Sequence, residues 1–130
     1  MLHVPIDMSM ERTLSSGVMD RARLAIQTKD ALKLLRLSRS TRVLTLGGEC
    51  SVSVAPFSYL QSLYPEDTAL LWLDAHPDIT LPGDPYAGYH AMALSALLGR
   101  GDSSIIAQLP AVCKPQQVLL LGLRDWERET

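Results

Sequence analysis

Leu71-Trp72-Leu73-Asp74-Ala75-His76-Pro77-Asp78 decides how this chain is read: an apolar strand runs out into two aspartates and a histidine at alternate positions. Side chains two apart on an extended backbone point the same way, so Asp74, His76 and Asp78 are expected to converge at the strand's end. In apolar surroundings, three such groups would desolvate and repel one another without a cation. Ala69 to Leu73 has no polar group except the Trp72 indole and reads as a strand buried on both faces of a parallel sheet. Ligand sites in such sheets lie at the carboxyl ends of the strands, where this triplet falls. The expectation is a metal-dependent hydrolase; the bland alternative is a hydrogen-bonded loop with Asp78 capping a turn and His76 satisfied locally.

Working outward, two further segments read as strands, Arg42 to Leu46, stopped by Gly47-Gly48, and Gln117 to Leu123. Leu2 to Ile6 is a weaker strand candidate. Apolar residues keep helical spacing from Gly17 to Leu37, with Arg21, Lys29, Lys33 and Arg36 on the wet face. Ser51 to Leu63 is a second helix if Pro56 lies in its first turn. Pro77 to Gly88 holds too many breakers for a helix, His90 to Leu98 resumes one, and a short helical piece lies near Ser104 to Leu109. Strands alternating with helices predict an α/β fold with a mainly parallel sheet, as one domain over residues 1–130.

Composition fits a soluble globular protein: 130 residues, 47% hydrophobic, 20% charged, net charge −2. The absence of a basic block or basic helix face argues against nucleic acid and anionic membrane as partners. Neither a secretory leader nor a bilayer-spanning run is visible, so a cytoplasmic location is expected. Cys50 and Cys113 form no CxxC pair, which excludes a zinc ribbon. Cys113 reads as a small buried hydrophobe.

Carboxylate and imidazole donors suit Mn, Zn or Fe better than Ca. Asp74, deepest in the strand, is the candidate for bridging two ions. Cys50, after Gly47-Gly48-Glu49, is either a further ligand that biases the site toward softer ions such as Zn, or a buried structural thiol. His90 is a candidate general acid/base or an ordinary helix-start histidine. Arg124-Asp125 could support the site from behind or form a surface ion pair. Tyr86 and Asp84 could contact a ligand, but read more readily as turn residues.

These segments together resemble the arginase, agmatinase and formimidoylglutamase (ureohydrolase) family, as an N-terminal portion. Leu46-Gly47-Gly48-Glu49-Cys50-Ser51 is similar to its Gly-Gly-Asp-His-Ser segment, and Asp74-Ala75-His76-Pro77-Asp78 matches its Asp-Ala-His-x-Asp signature. Gly88-Tyr89-His90-Ala91-Met92 is similar to a His-Gly-Met/Gln-Pro segment, and Gly122-Leu123-Arg124-Asp125 matches a strand-end segment that follows. The resemblance implies a three-layer α/β/α fold, here incomplete. It implies a dinuclear Mn2+ centre, with Zn2+ or a single ion open for this chain. It implies hydrolysis of a C–N bond in a small guanidino or amidino substrate by a metal-bridging hydroxide, and a homo-oligomer. On that reading Asp74 bridges the ions, Asp78 ligates one, His76 the other, and His90 shuttles protons. Cys50 stands where the family has a ligating histidine and Glu49 where it has aspartate, and the family's Ser-x-Asp-x-Asp segment does not occur in the sequence. The resemblance therefore implies a poor catalyst as an isolated chain. The alternative is a noncatalytic module whose metal centre is degraded.

Overall fold

The computed structural model describes residues 1–8 and 11–125; the rest of the domain expected over 1–130 lies outside the described residues. A two-residue hairpin comes first, β1 (Leu14–Ser15) antiparallel to β2 (Val18–Met19). Its turn, Ser16-Gly17, has both residues at positive φ, 50° and 76°, the conformation that matches the twist of a tight hairpin. Gly17 is required twice over, because a Cβ there would lie 2.2 Å from the backbone nitrogen of Gly83.

Helix α1 (Arg21–Ser38) packs on α2 (Val54–Leu63), burying Leu32 and Leu35 against Ala55 and Tyr59. The sequence places α1 correctly, but Val18, expected on its apolar face, is in β2 and fully buried there. A 3-10 turn, Cys50–Ser53, leads into α2, and Pro56 falls in that helix's first turn, where the missing N–H costs no hydrogen bond. The loop after β3 (Leu70–Leu73) ends in a second 3-10 turn, Tyr89–Met92, followed by α3 (Ala93–Leu97) and α4 (Ser103–Ile106). A third 3-10 turn, Pro115–Gln117, leads into β4 (Val118–Leu121).

Strands β3 and β4 are parallel, with Leu70 opposite Val118 and Trp72 opposite Leu120. The ladder runs one step further, the Asp74 N–H donating to the Leu121 carbonyl at 3.1 Å, and this fixes Asp74 at the sheet's carboxyl edge. Leu70 and Trp72 face a core built with Val54, Met92, Leu94, Leu97 and Ile105, and Cys113 is buried in it as expected. The expectation that this strand is buried on both faces is corrected. Leu71 and Leu73 are 53% and 74% exposed, and Leu119 and Leu121 beside them 53% and 40%. Among the described residues helices cover one face of the sheet, so alternate side chains of an all-apolar strand meet solvent.

Arg42 to Leu46 is not a strand. No described strand pairs with it, and Leu44 and Leu46 are exposed while Val43 packs against the α1–α2 core. Apolar residues alone do not make a strand without a ladder partner. Leu2 to Ile6 likewise forms none.

Candidate metal centre

Three segments meet at the carboxyl end of β3: the 3-10 turn that opens with Cys50, the strand end at Asp74, and Asp78 four residues on. One ligand atom each from Cys50, Asp74 and Asp78 lie within 4.8 Å of one another. The Cys50 thiol donates to Asp74 Oδ2 at 3.4 Å. These residues, with His76, Tyr86 and His90, line a cavity of about 320 Å3.

Asp74 and Asp78 come together by a route that strand alternation does not provide. The extended backbone ends at Leu73, and Asp78 adopts a left-handed conformation with φ 50°. That backbone is anchored, its carbonyl accepting from the N–H groups of Leu94 (3.0 Å) and Ser95 (3.1 Å) in α3. Asp78 is 3% exposed, a carboxylate in an almost dry position. His76 lines the same cavity but is not among the three ligand atoms that converge most tightly. Its Nδ1 lies 3.5 Å from Asp74 Oδ1 and its Nε2 4.0 Å from Asp125 Oδ2. Cys50 takes its place in the group of converging donors.

The electrostatics of the group follow from its crowding. The backbone N–H of His76 donates to Asp74 Oδ1 at 2.9 Å. Chiefly through that bond, with Cys50 and the His76 ring adding to it against the effect of burial, the Asp74 carboxyl is held below the usual carboxylate range. Burial, then the hydrogen bond and negative charge of Asp78, then those of Asp74, push the Cys50 thiol up to about 12. Without a cation the sulfur is therefore a protonated thiol at neutral pH; a positive ion among these groups reverses that balance. One buried carboxylate, one oriented carboxylate and one sulfur form a donor set that fits a divalent transition metal and does not fit calcium.

His90 also lines the cavity. Its Nε2 is 3.0 Å from the Tyr86 hydroxyl, and its Nδ1 is 4.0 Å from Glu49 Oε2. The Tyr86 and His90 rings meet edge to face, 5.4 Å between centroids. The contact depends on Gly88, since a Cβ there would lie 2.7 Å from Tyr86 Cε1 and 2.9 Å from His90 Cε1. Tyr86, for which a ligand contact is one of the two readings, lines the cavity, and its i, i+4 spacing from His90 across Gly88 is the sequence signal for their pairing. Asp84 is the turn residue it was read as, accepting from the Leu81 N–H at 2.8 Å. Glu49 accepts from the Ser51 N–H and hydroxyl, capping the 3-10 turn, and it does not join the converging ligand atoms. The N–H groups of Arg124 and Asp125 donate to the Ala75 carbonyl at 2.8 and 3.0 Å, tying the end of β4 to the loop that carries His76.

A larger cleft, about 530 Å3, lies between the N-terminal segment and α1. Four of its charges pair, Asp20 with Arg12 at 2.5 Å and Arg23 with Asp7 at 2.8 Å, and Asp30 also lines it. The converging ligand atoms are in the smaller cavity.

The model of the arginase family matches residues 5–130. The chain is 33% identical over 86 residues to the arginase of Staphylococcus aureus (strain COL), covering 65% of this chain and 28% of that protein. It is 34% identical over 88 residues to the arginase of Saccharomyces cerevisiae, covering 63% and 26%. Its fold is similar to that of the arginase from Bacillus caldovelox, with TM-score 0.80, 24% identity and coverage of 95% of this chain and 44% of that one. It is also similar to Entamoeba histolytica arginase, solved in complex with L-ornithine, with TM-score 0.79, 18% identity and coverage of 96% and 44%. The chain thus spans under a third of the curated relatives it matches and under half of the solved structures.

Proposed function

The chain belongs to the arginase family, and from that premise we propose that it carries part of the site of a metal-dependent ureohydrolase, acting on a C–N bond of a small guanidino or amidino compound. Asp74, Asp78 and Cys50 would hold a divalent cation, with the His76 Nδ1 beside them at 3.5 Å from Asp74 Oδ1. The observation that carries the reading is the convergence of one thiol and two carboxylates, one of them almost wholly buried, at the sheet's carboxyl edge. A divalent ion held there supplies a Lewis acid and lowers the pKa of water toward neutrality.

The chain's own residues divide the remaining tasks. The His76 N–H fixes Asp74 Oδ1, which leaves Oδ2 turned toward Cys50. Asp78, held by the N-terminal N–H groups of α3, keeps its carboxylate in a water-poor position where its charge acts strongly. His90, which lines the cavity and is steadied at Nε2 by Tyr86, would hold or move a proton, the work of a general acid/base when a nitrogen leaving group departs.

The test measures bound divalent metal and product release from arginine, agmatine and simpler guanidino compounds, for the parent chain and Asp74→Ala. The reading expects metal in the parent and a loss of at least about tenfold in affinity in the variant, equivalent to about 1.4 kcal/mol. Unchanged metal content in Asp74→Ala would overturn it. A noncatalytic arginase-like module is the second reading, favoured by Cys50 at a position where the family resemblance places histidine. It expects no turnover of any guanidino compound, and Asp74→Ala then alters association or solubility instead of metal content.

A further inference from the structure

Taking the metal-site reading above as its premise, we infer that Cys50 is a sulfur ligand and the residue that sets metal choice, selecting a thiophilic ion of the zinc type over manganese. The separation of Cys50 Sγ from Asp74 Oδ2 is 3.4 Å. Two ligands on one tetrahedral zinc, with Zn–S about 2.3 Å and Zn–O about 2.1 Å, stand about 3.6 Å apart. The sulfur and the oxygen are therefore spaced as ligands of a single ion with little rearrangement.

The backbone holds the sulfur in that place. Cys50 is the first residue of its 3-10 turn, and the turn is capped by Glu49, whose carboxylate accepts from the Ser51 N–H at 3.2 Å. Glu49 is thereby drawn away from the ligand group, and the donor this segment contributes is sulfur. Together with Asp74 and Asp78 the count is three protein donors, which leaves one position of a tetrahedral ion for water or substrate. His76, a nitrogen donor that lines the same cavity, lies beside Asp74 and Asp125 and is not one of the three converging atoms.

The chemical consequence follows from ligand softness. Oxygen donors bind manganese weakly and discriminate little, whereas a thiolate strengthens zinc or cobalt binding far more than manganese binding. As the sulfur–metal bond forms, the thiol proton passes to solvent; no electrons are transferred and no co-reactant is needed. Cys113, buried in the core beside Gln61, is not part of the ligand group and offers no competing sulfur.

The experiment loads the full chain, Cys50→Ser and Cys50→His with Co2+ and records the near-ultraviolet thiolate-to-cobalt charge-transfer band. Zn2+ and Mn2+ affinities of the same proteins are then measured by competition, with circular dichroism confirming that each variant is folded. The expected result is a charge-transfer band in the parent that disappears in both variants. The zinc-over-manganese preference is expected to fall at least about tenfold in Cys50→His, a change of about 1.4 kcal/mol. Stoichiometric cobalt without the band, or a band that survives in Cys50→Ser, overturns the inference while leaving the metal site standing. Metal bound by Cys50→His but not by the parent overturns it in the same way. Failure of both the parent and Cys50→His to take up any metal overturns the metal-site reading itself, and the inference with it.

Discussion

Replacing Asp102 is expected to be damaging well away from the metal site, and its cost can be worked from the contacts it makes. The residue is 4% exposed and is the N-cap of α4, its Oδ1 accepting from the N–H groups of Ser104 (3.0 Å) and Ile105 (3.3 Å). Its Oδ2 receives Nε of Arg21, the first residue of α1, at 2.5 Å. Asp102→Ala removes the cap, worth about 1 kcal/mol. It also strands a guanidinium that is 27% exposed. Breaking a fully buried pair costs about 3–5 kcal/mol, and the partial exposure of Arg21 allows rehydration that lowers this to about 2 kcal/mol. The expected total is about 3 kcal/mol. Asp102→Asn keeps an oxygen for the cap and loses the charge, so it is expected to cost about 2 kcal/mol. Urea unfolding at pH 7 with linear extrapolation reads both values. A cost below about 1 kcal/mol for Asp102→Ala refutes the reasoning, because that is the size of a surface effect or a cap alone. The pH dependence gives a second check. Burial alone would raise the Asp102 pKa, but the Arg21 and Ser104 hydrogen bonds outweigh it and hold the carboxyl below its ordinary value. A depressed folded-state pKa stabilises fully above the unfolded value of about 3.9 and loses that contribution as the pH falls through the folded value. The acid limb of the stability curve should therefore be shallower in Asp102→Asn, with no change in slope near neutrality.

Other outcomes follow from single features. Gly17→Ala must relieve both a positive φ and a Cβ at 2.2 Å from Gly83, so thermal unfolding should show a loss of about 2 kcal/mol or more. Tyr89 buries a hydroxyl without a hydrogen-bond partner among the described residues, so Tyr89→Phe should be neutral or raise the melting temperature, within about 1 kcal/mol of stabilisation. Leu73→Lys should change stability by less than about 0.5 kcal/mol in the isolated chain, whereas a strand buried on both faces would lose several times that; equilibrium denaturation separates the two.

The parts of the fold that could be read from the sequence are those set by local pattern. The apolar spacing through Leu32 and Leu35 specifies α1, and the breakers from Pro77 to Gly88 specify the loop beside the site. The parallel pair β3–β4 follows from two apolar runs joined by helical segments. The two-sided burial of β3 was misread because an all-apolar strand carries no signal of which face is covered. Arg42 to Leu46 was misread because a strand is defined by its neighbour, and no described strand pairs with it. The site was legible as a cluster of residue types. Its internal arrangement was not, since it depends on the left-handed backbone at Asp78, which an alternation rule cannot anticipate. Glu49 approaches His90 only through a tertiary contact, which sequence proximity does not announce, whereas Tyr86 meets it locally at i, i+4 across Gly88.

The central claim is that a cation reconciles the crowded anionic donors at the end of β3. Anomalous diffraction from crystals grown with zinc, recorded on both sides of the metal's absorption edge, tests it most directly. The account predicts a peak about 2.3 Å from Cys50 Sγ and about 2.0–2.2 Å from carboxylate oxygens of Asp74 and Asp78. Ordered density for all three side chains with no peak between them, at saturating zinc, would contradict it.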